Sequence, residues 1–318
     1  MYQGYITDVP GIKVGHAHSI EGMTGCTVII CEKGATGGVD VRGSAPGTRE
    51  TDLFKSEKMV DKVHAVVLSG GSAFGLEAAS GVMKYLEEKN IGFDVGVTKV
   101  PIVASAVIFD LTIGDYMIRP DFNMGYEASK NANSYANKQG NIGCGMGATI
   151  GKILGPQNAM KSGLGSATVK IGNLVVSAIV AVNAFGDIYD LENNKQIAGV
   201  YDYNTSELLN TIDIMKETNK NLGFNIQNTT IGLIATNAML NKAEANKISE
   251  MAHNGFARSI NPIHTMVDGD TIFTMATGEI KADISLIGTL AAEAMSKAII
   301  NGVFFAEGTH GLKAYKEI

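Results

Sequence analysis

Asn228-Thr229-Thr230-Ile231 opens an apolar run that ends at Ile234-Ala235-Thr236-Asn237, and Asp268-Gly269-Asp270 follows further along the chain. The run has the length and β-branched content of a strand, so a hydroxyl stands at the start of a strand with two acids downstream. A threonine hydroxyl is a poor nucleophile, but a terminal threonine has an α-amino group with a reference pKa of about 7.7–8. Such an amine can serve as the base for its own hydroxyl. We therefore predict that Thr229 becomes a terminal nucleophile when the preceding peptide bond is cut.

Each of these residues also has an ordinary structural interpretation. A β-branched threonine is common at the start of a strand. The triplet Asp268-Gly269-Asp270, taken alone, fits a surface turn. A single lysine such as Lys152 is more often a solvated cation than a catalytic group. These motifs taken singly therefore do not distinguish the structural from the catalytic interpretation, and the rest of the sequence is needed.

The composition is that of a compact globular protein with tight turns. The chain has 318 residues, of which 45% are hydrophobic, 18% are charged and 38 are glycines, and these values exclude a disordered chain. The mass of 33.5 kDa exceeds the usual single-domain size, although large α/β folds reach it as one unit. We expect one α/β domain over residues 1–318.

The charge and the cysteines exclude several classes of function. The net charge is −6, and no basic cluster supplies the stripe that nucleic-acid binding requires. No segment approaches the roughly 20 apolar residues of a membrane span, so we expect a cytoplasmic protein with no membrane partner. The cysteines, Cys26, Cys31 and Cys144, match no zinc or redox spacing. We expect them to be reduced and buried.

Glycine-rich loops follow the apolar runs in the first half of the chain. Residues 26–31 are predicted to form a buried strand, and residues 65–88 a strand, a glycine turn and a helix. The turn at Gly70-Gly71 matches neither common phosphate-binding pattern, so a close-packed turn or part of a substrate pocket is favoured. The second glycine-rich stretch, at residues 143–166, is predicted to wrap around a site.

The second half of the chain contains a strand, a polar stretch and a regular alternation of elements. A strand at residues 174–182 ends just before Asn183, and strand ends commonly carry functional residues. Residues 186–224 are polar and are predicted to form an exposed linker, which would let the chain open at Asn228. The elements predicted after Thr229 are a strand, a helix at 242–258 with Asn241 as its N-cap, a strand at 271–277 and a helix at 284–300.

These motifs together resemble the L-aminopeptidase/D-esterase family of self-cleaving N-terminal-nucleophile hydrolases, which includes β-peptidyl aminopeptidases and nylon-oligomer hydrolases. The likeness lies in Asn228-Thr229-Thr230-Ile231, in residues 264–273 and in Pro10-Gly11-Ile12-Lys13-Val14-Gly15-His16. It extends to residues 42–51 and 68–76, and so covers nearly the whole chain. Nylon-oligomer hydrolases resemble this chain in having Thr after Asn, whereas many of the aminopeptidases have Ser.

The resemblance implies a fold, a cleavage site and a set of site residues. The fold is a four-layer α/β/β/α sandwich of the self-processing aminopeptidase type, cut between Asn228 and Thr229 into a large chain 1–228 and a small chain 229–318. The implied catalytic residues are Thr229, Lys152, Asn183, Asp268 and Asp270.

Each of these residue types suits a step of amide hydrolysis. A desolvated lysine supplies positive charge or acts as a base, and an asparagine amide can donate to a developing oxyanion. The two aspartates would orient the nucleophile or bind a substrate's ammonium group. Lys161 remains an alternative to Lys152. We predict no catalytic metal and no cofactor, and His253 and His264 are assigned to packing or supporting hydrogen bonds.

The predicted reaction has two stages. Thr229 first attacks the Asn228 carbonyl in an N-to-O acyl shift, and then attacks a small peptide or amide substrate to form an acyl-enzyme that water releases. One alternative is a self-cleaving acyltransferase of the ornithine acetyltransferase type. Another is a noncatalytic small-ligand binding protein whose Gly70-Gly71 and 143–147 loops hold an anion. The resemblance also implies a homo-oligomer, a tetramer or larger.

Overall fold

A computed structural model of the protein describes residues 1–218 and 228–318. Within these ranges, one nine-stranded sheet and five α-helices form most of the molecule. The strands, numbered in chain order, are β1 (Ile12–Ser19), β2 (Thr24–Val41), β3 (Thr48–Arg49), β4 (Lys62–Ser69), β5 (Val103–Val107), β6 (Leu164–Ile171), β7 (Leu174–Ala181), β8 (Ile231–Ala238) and β9 (Thr271–Ile280). The helices are α1 (Ala78–Glu88), α2 (Phe122–Lys130), α3 (Thr211–Thr218), α4 (Lys242–Ser259) and α5 (Ile284–Phe304).

A single long strand joins the two halves of the sheet. The strand order is β6-β7-β8-β9-β2-β4-β5-β3, and β1 pairs with β2. The first part of β2 pairs with β1, whereas its last part pairs with β9. The β8–β9 and β4–β5 pairs are parallel, and the other pairs are antiparallel. Residues from both halves pack into one shared apolar core.

The side chains of the strands separate three apolar cores. Successive residues of a strand point to opposite faces of the sheet. In β4, Val66 faces the core between the two halves and Val67 faces the core that includes residues of α1. In β9, Phe273 faces the shared core and Ile272 faces the core that includes residues of α4 and α5. The molecule therefore has the predicted α/β/β/α layers.

The helices of the C-terminal part begin where the sequence predicts. The Asn241 side chain accepts a hydrogen bond from the Glu244 backbone amide at 2.9 Å. The Glu244 side chain accepts one from the Asn241 backbone amide at 2.8 Å. This capping box satisfies amides that the first turn of α4 leaves unpaired. Helix α5 continues to Phe304, beyond its predicted end. It lies so close to β6 that a Cβ on Gly165 would stand 2.0 Å from the Ala298 carbonyl oxygen.

The prediction of an exposed linker is wrong for most of residues 186–218. Short paired strands lie at Asp187–Tyr189, Gln196–Ala198, Val200–Asp202 and Glu207–Leu209. Ile188 and Tyr201 are buried in the core that includes residues of α4 and α5. A few apolar residues among many polar ones are thus enough to fold this segment onto the body. Residues 219–224 of the predicted linker lie outside the described residues.

Two further expectations can be compared with the structure. The cysteines Cys26, Cys31 and Cys144 are buried and unpaired, as predicted. Over residues 1–218 and 228–318, no helix combines the length and the hydropathy that crossing a bilayer requires.

Candidate active site

The pairing of three strands brings distant parts of the sequence to one edge of the sheet. Ala181 at the end of β7 lies opposite Ile231 at the start of β8, because these strands are antiparallel. Ile231 in turn lies opposite Thr271 at the start of β9, because β8 and β9 are parallel. The residues just beyond these strand ends are Asn183, Thr229, Asp268 and Asp270.

All five predicted site residues are buried, and at most 6% of any of them is exposed. The surface-turn interpretation of Asp268-Gly269-Asp270 is therefore wrong, and so is the interpretation of Lys152 as a solvated cation. Burial of so many polar groups is costly unless they bind one another. Each of them therefore needs hydrogen-bond partners within the protein.

The peptide bond between Asn228 and Thr229 is held at both ends. The Thr229 Oγ1 hydroxyl donates a hydrogen bond to the Asn228 carbonyl oxygen. The same oxygen accepts a hydrogen bond from the Gly269 amide at 3.0 Å. The Thr229 amide donates to the Asn183 carbonyl oxygen, also at 3.0 Å. An amide that points at this carbonyl would stabilise the negative charge that develops there during attack.

Lys152 is connected to the Asn228–Thr229 peptide bond through Asn183. Its Nζ donates to Asn183 Oδ1 at 2.7 Å and to the Asn183 carbonyl oxygen at 3.3 Å. Burial lowers the pKa of Lys152 to about 7, against the opposing charges of Asp268 and Asp110. An amine with such a pKa is partly neutral near pH 7 and can accept a proton.

The Asn183 amide has partners that the sequence does not reveal. Its Oδ1 also accepts a hydrogen bond from the Thr149 amide at 3.0 Å, and its Nδ2 donates to the Phe109 carbonyl oxygen at 3.0 Å. These contacts orient the side chain toward Lys152. Donation from Asn183 to an oxyanion stays a prediction.

Asp268 has one bound and one available carboxylate oxygen. Oδ2 accepts hydrogen bonds from the Thr265 amide at 2.8 Å and the Thr265 hydroxyl at 2.6 Å. Oδ1 accepts none from the residues that the structure describes. Burial and the neighbouring Asp270 charge raise the pKa of Asp268 to about 6, while Thr265 and Lys152 act against this rise. The carboxylate is well suited to an ammonium group.

Asp270 binds a histidine that the sequence prediction leaves out of the site. Its Oδ1 accepts a hydrogen bond from the Thr230 amide at 2.7 Å. Its Oδ2 accepts from the His264 ring Nδ1 at 2.8 Å and from the His264 amide at 3.2 Å. The sequence contains no periodic signal for this contact, because it depends on the path of the loop between the two residues.

Lys161, the alternative to Lys152, is also buried but has different contacts. Its Nζ donates to the carbonyl oxygens of Gly145 at 3.1 Å and Ala148 at 3.0 Å, and to that of Ser162. Burial lowers the pKa of Lys161 to about 7. Its bonds hold the glycine-rich loop and do not reach Thr229 or Asn183.

Asp110, which the sequence prediction also leaves out, has a carboxylate that binds the predicted turn at Gly70-Gly71. It accepts hydrogen bonds from the Gly71 amide and the Thr24 hydroxyl, each at 2.7 Å. A Cβ on Gly70 would stand 2.1 Å from its Oδ2. The Gly70-Gly71 turn therefore encloses the protein's own carboxylate, and burial raises the pKa of that carboxyl to about 6. In the sequence, the only indication of this residue was that Asp110 directly follows an apolar run, where a strand is expected to end.

The described residues contain no group of three or more His, Cys, Asp or Glu side chains that could hold a metal ion. The predicted absence of a catalytic metal stays a prediction.

Comparison with solved structures supports the same architecture. The L-aminopeptidase D-Ala-esterase/amidase of Ochrobactrum anthropi, described as a variant of the Ntn hydrolase fold, superposes with a TM-score of 0.74. The match covers 98% of this chain and 89% of that one at 16% sequence identity. At this identity the likeness concerns the fold alone.

Curated sequences are more similar. An uncharacterized aminopeptidase of Mycobacterium tuberculosis is 36% identical, with 98% of this chain and 97% of the relative covered. A 6-aminohexanoate-oligomer endohydrolase of a Kocuria species is 33% identical, with 92% and 84% covered. Residues 4–316 match the sequence pattern of Peptidase family S58. By this match and by these relatives, the chain belongs to Peptidase family S58.

Proposed function

We propose that this protein is an N-terminal-threonine amidohydrolase that makes its own nucleophile by cutting the Asn228–Thr229 bond. Membership of Peptidase family S58 makes it a hydrolase of amide bonds. The proposed cut gives a large chain 1–228 and a small chain 229–318, folded together as one α/β domain.

The observation that carries the proposal is the set of contacts on the peptide bond itself. The Thr229 hydroxyl lies against the Asn228 carbonyl, and the Gly269 amide donates to the oxygen of that carbonyl at 3.0 Å. An ordinary residue at the start of a strand requires no such combination of nucleophile and donor. Loss of one donor of this kind typically costs about 10²–10³ in rate.

The proposed self-cleavage is an N-to-O acyl shift followed by hydrolysis of the ester. Thr229 Oγ1 bonds to the Asn228 carbonyl carbon, the carbon–nitrogen bond to Thr229 breaks, and the hydroxyl proton passes to the departing nitrogen. Water then hydrolyses the ester, which releases the Asn228 carboxylate and restores the hydroxyl. Lys152 contacts the Asn183 carbonyl that holds the Thr229 amide. It is therefore the proposed carrier of the proton.

The same residues would act in turnover. The Thr229 hydroxyl attacks the carbonyl of a substrate amide, its new α-amino group or Lys152 moves the proton, and water hydrolyses the acyl-enzyme. The buried Asp268 oxygen that has no hydrogen-bond partner among the described residues suits the ammonium of a substrate with a free amino end. We propose short peptides and amide oligomers as substrates. One relative is named for 6-aminohexanoate oligomers and another as an aminopeptidase.

We also propose a homo-oligomer in the cytoplasm. Exposed apolar side chains such as Phe74, Tyr116 and Met117 are the kind of surface that subunit contacts bury. The free cysteines suit a reducing compartment. Light scattering after size exclusion measures the number of subunits.

Intact-mass analysis of purified protein tests the cleavage. We expect two chains from the parent and from Thr229→Ser, which keeps a hydroxyl, and one chain from Thr229→Ala. Activity is then measured on aminoacyl-p-nitroanilides, β-dipeptides and 6-aminohexanoate oligomers. A parent that stays whole, or a cut protein inactive on every amide, would contradict the proposal.

A further inference from the structure

Asp270 is linked to the proposed scissile bond by two routes, one through Thr230 and one through Gly269. Thr230, whose amide binds Oδ1, is joined directly to Thr229. Asp270 is also joined directly to Gly269, whose amide binds the Asn228 carbonyl oxygen. The position of the Asp270 carboxylate therefore influences both the nucleophile and the donor to the carbonyl.

His264 holds the other oxygen of Asp270 with two donors. The ring Nδ1 lies 2.8 Å and the backbone amide 3.2 Å from Oδ2. Asp270 has no exposed surface, so neither oxygen can exchange these donors for water. A carboxylate bound from both sides in this way has one orientation.

The backbone of His264 is itself in a costly conformation. Its φ of +58° lies in the left-handed region, which residues other than glycine rarely adopt. Such a conformation is unfavourable and persists only where the surroundings stabilise it. At His264 it lets the amide and the ring point at the same carboxylate oxygen. The strain is therefore tied to the contact with Asp270.

The far side of the ring packs against other rings. It packs on His253, with ring centroids 4.8 Å apart, and stacks on Phe256 at 6.1 Å. Burial lowers the pKa of His253 to about 4, so His253 is neutral. Nε2 of His264 is buried, with no hydrogen-bond partner among residues 1–218 and 228–318. A ring in this setting offers Asp270 the proton on Nδ1.

We propose that His264 is a positioning residue for the Thr229 reaction, in that it orients Asp270 and through it the amides of Thr230 and Gly269. This rests on the self-cleaving function proposed above. His264 is not a catalytic residue, because it contacts neither the nucleophile nor the scissile bond. Its effect is transmitted entirely by the geometry of Asp270.

Three substitutions separate the hydrogen bond from the backbone strain. His264→Asn keeps a donor near the position of Nδ1 and tolerates positive φ. His264→Ala removes the ring donor and keeps the backbone strain. His264→Gly removes the ring donor and relieves the backbone strain. His253→Gln is the matched control, because His253 lies beside His264 and its hydrogen-bond partner is the Asp40 carbonyl oxygen, not Asp270.

The readout is the rate at which newly made full-length precursor splits, followed by intact mass during cell-free synthesis. We expect His264→Asn and His253→Gln to split within about threefold of the parental rate. We expect His264→Ala and His264→Gly to be slower by about 10²-fold, which is the usual effect of a misplacement near 1 Å. In the mature forms kcat should fall with KM unchanged, and a purely structural role would not produce this separation.

The outcomes separate the two proposals. A parent that never splits refutes the proposed function. A parent that splits, with folded Ala and Gly variants that split equally fast, refutes only the positioning role. A slow Ala variant and a normal Gly variant would mean that strain, and not the bond to Asp270, sets the rate, and this too would overturn the inference.

Discussion

Lys152 and Lys161 lie on the same glycine-rich segment and are both hidden from solvent, yet they bind different kinds of group. Burial lowers the pKa of each to about 7. Lys152 binds the side chain and the carbonyl of Asn183, which also holds the Thr229 amide. Lys161 binds three main-chain carbonyls around the glycine-rich loop. The pKa alone therefore does not distinguish a catalytic lysine from a structural one.

The number of acceptors provides the distinction. Three carbonyls match the three N–H donors of an ammonium, and in that state Lys161 has no lone pair with which to take a proton. Lys152 donates to two acceptors, both on Asn183, and the Asn183 carbonyl also accepts the Thr229 amide of the proposed scissile bond. The loop-closing Lys161 and Lys152, the proposed proton carrier, are thus both buried but have different neighbours.

The largest expected effect is that of Lys152→Met. The variant removes the proposed base and keeps a chain of similar shape, so we expect cleavage and turnover to fall by about 10²–10⁴. Stability should hold, because an apolar side chain is no more costly than a buried amine. Rates are measured by intact mass and on an amide substrate, with circular dichroism as the check on folding. Parental rates in this variant would remove the contrast between the two lysines.

Lys161→Met should give the opposite pattern. The buried Ser162 carbonyl loses its lysine donor, whereas the Gly145 and Ala148 carbonyls keep the Ala148 and Ser162 amides as donors. We therefore expect the free energy of unfolding to fall by about 1–3 kcal/mol. Urea denaturation in a Thr229→Ala background, where both proteins are expected to stay uncut, measures this difference. The folded fraction should split within a few-fold of the parental rate. Unchanged stability with abolished cleavage would reverse the assignments of the two lysines.

The smallest expected effect is on the pH profile. Lys152 must be neutral to act as a base, so with a pKa of about 7 the parental rate should rise about tenfold from pH 6 to pH 8. The negative charge of Asp110 raises the pKa of Lys152. Asp110→Asn should therefore move the rise to lower pH and speed the reaction at pH 6 by a few-fold. A shift to higher pH would exclude Lys152 as the titrating base.

Local sequence predicts the elements that carry the site. A strand begins after Thr229, α4 begins after Asn241, and a strand ends before Asn183, all as expected from periodicity and capping. Strand pairing then places their ends together. The polar segment after Gly186 was misjudged, because Ile188 and Tyr201 bury themselves through contacts with distant helices.

What the residue pattern established by itself was short-range: a hydroxyl at a strand start, acids before the next strand, and the periods of helices and strands. Its resemblance to a known family supplied the expected layers and the expected cut. The different contacts of Lys152 and Lys161, and the contacts of Asp110 and His264, came only from the folded chain. These depend on atoms far apart in sequence that meet within 3 Å or so. A hydrogen bond or a buried charge is defined by such distances, and no local pattern encodes them.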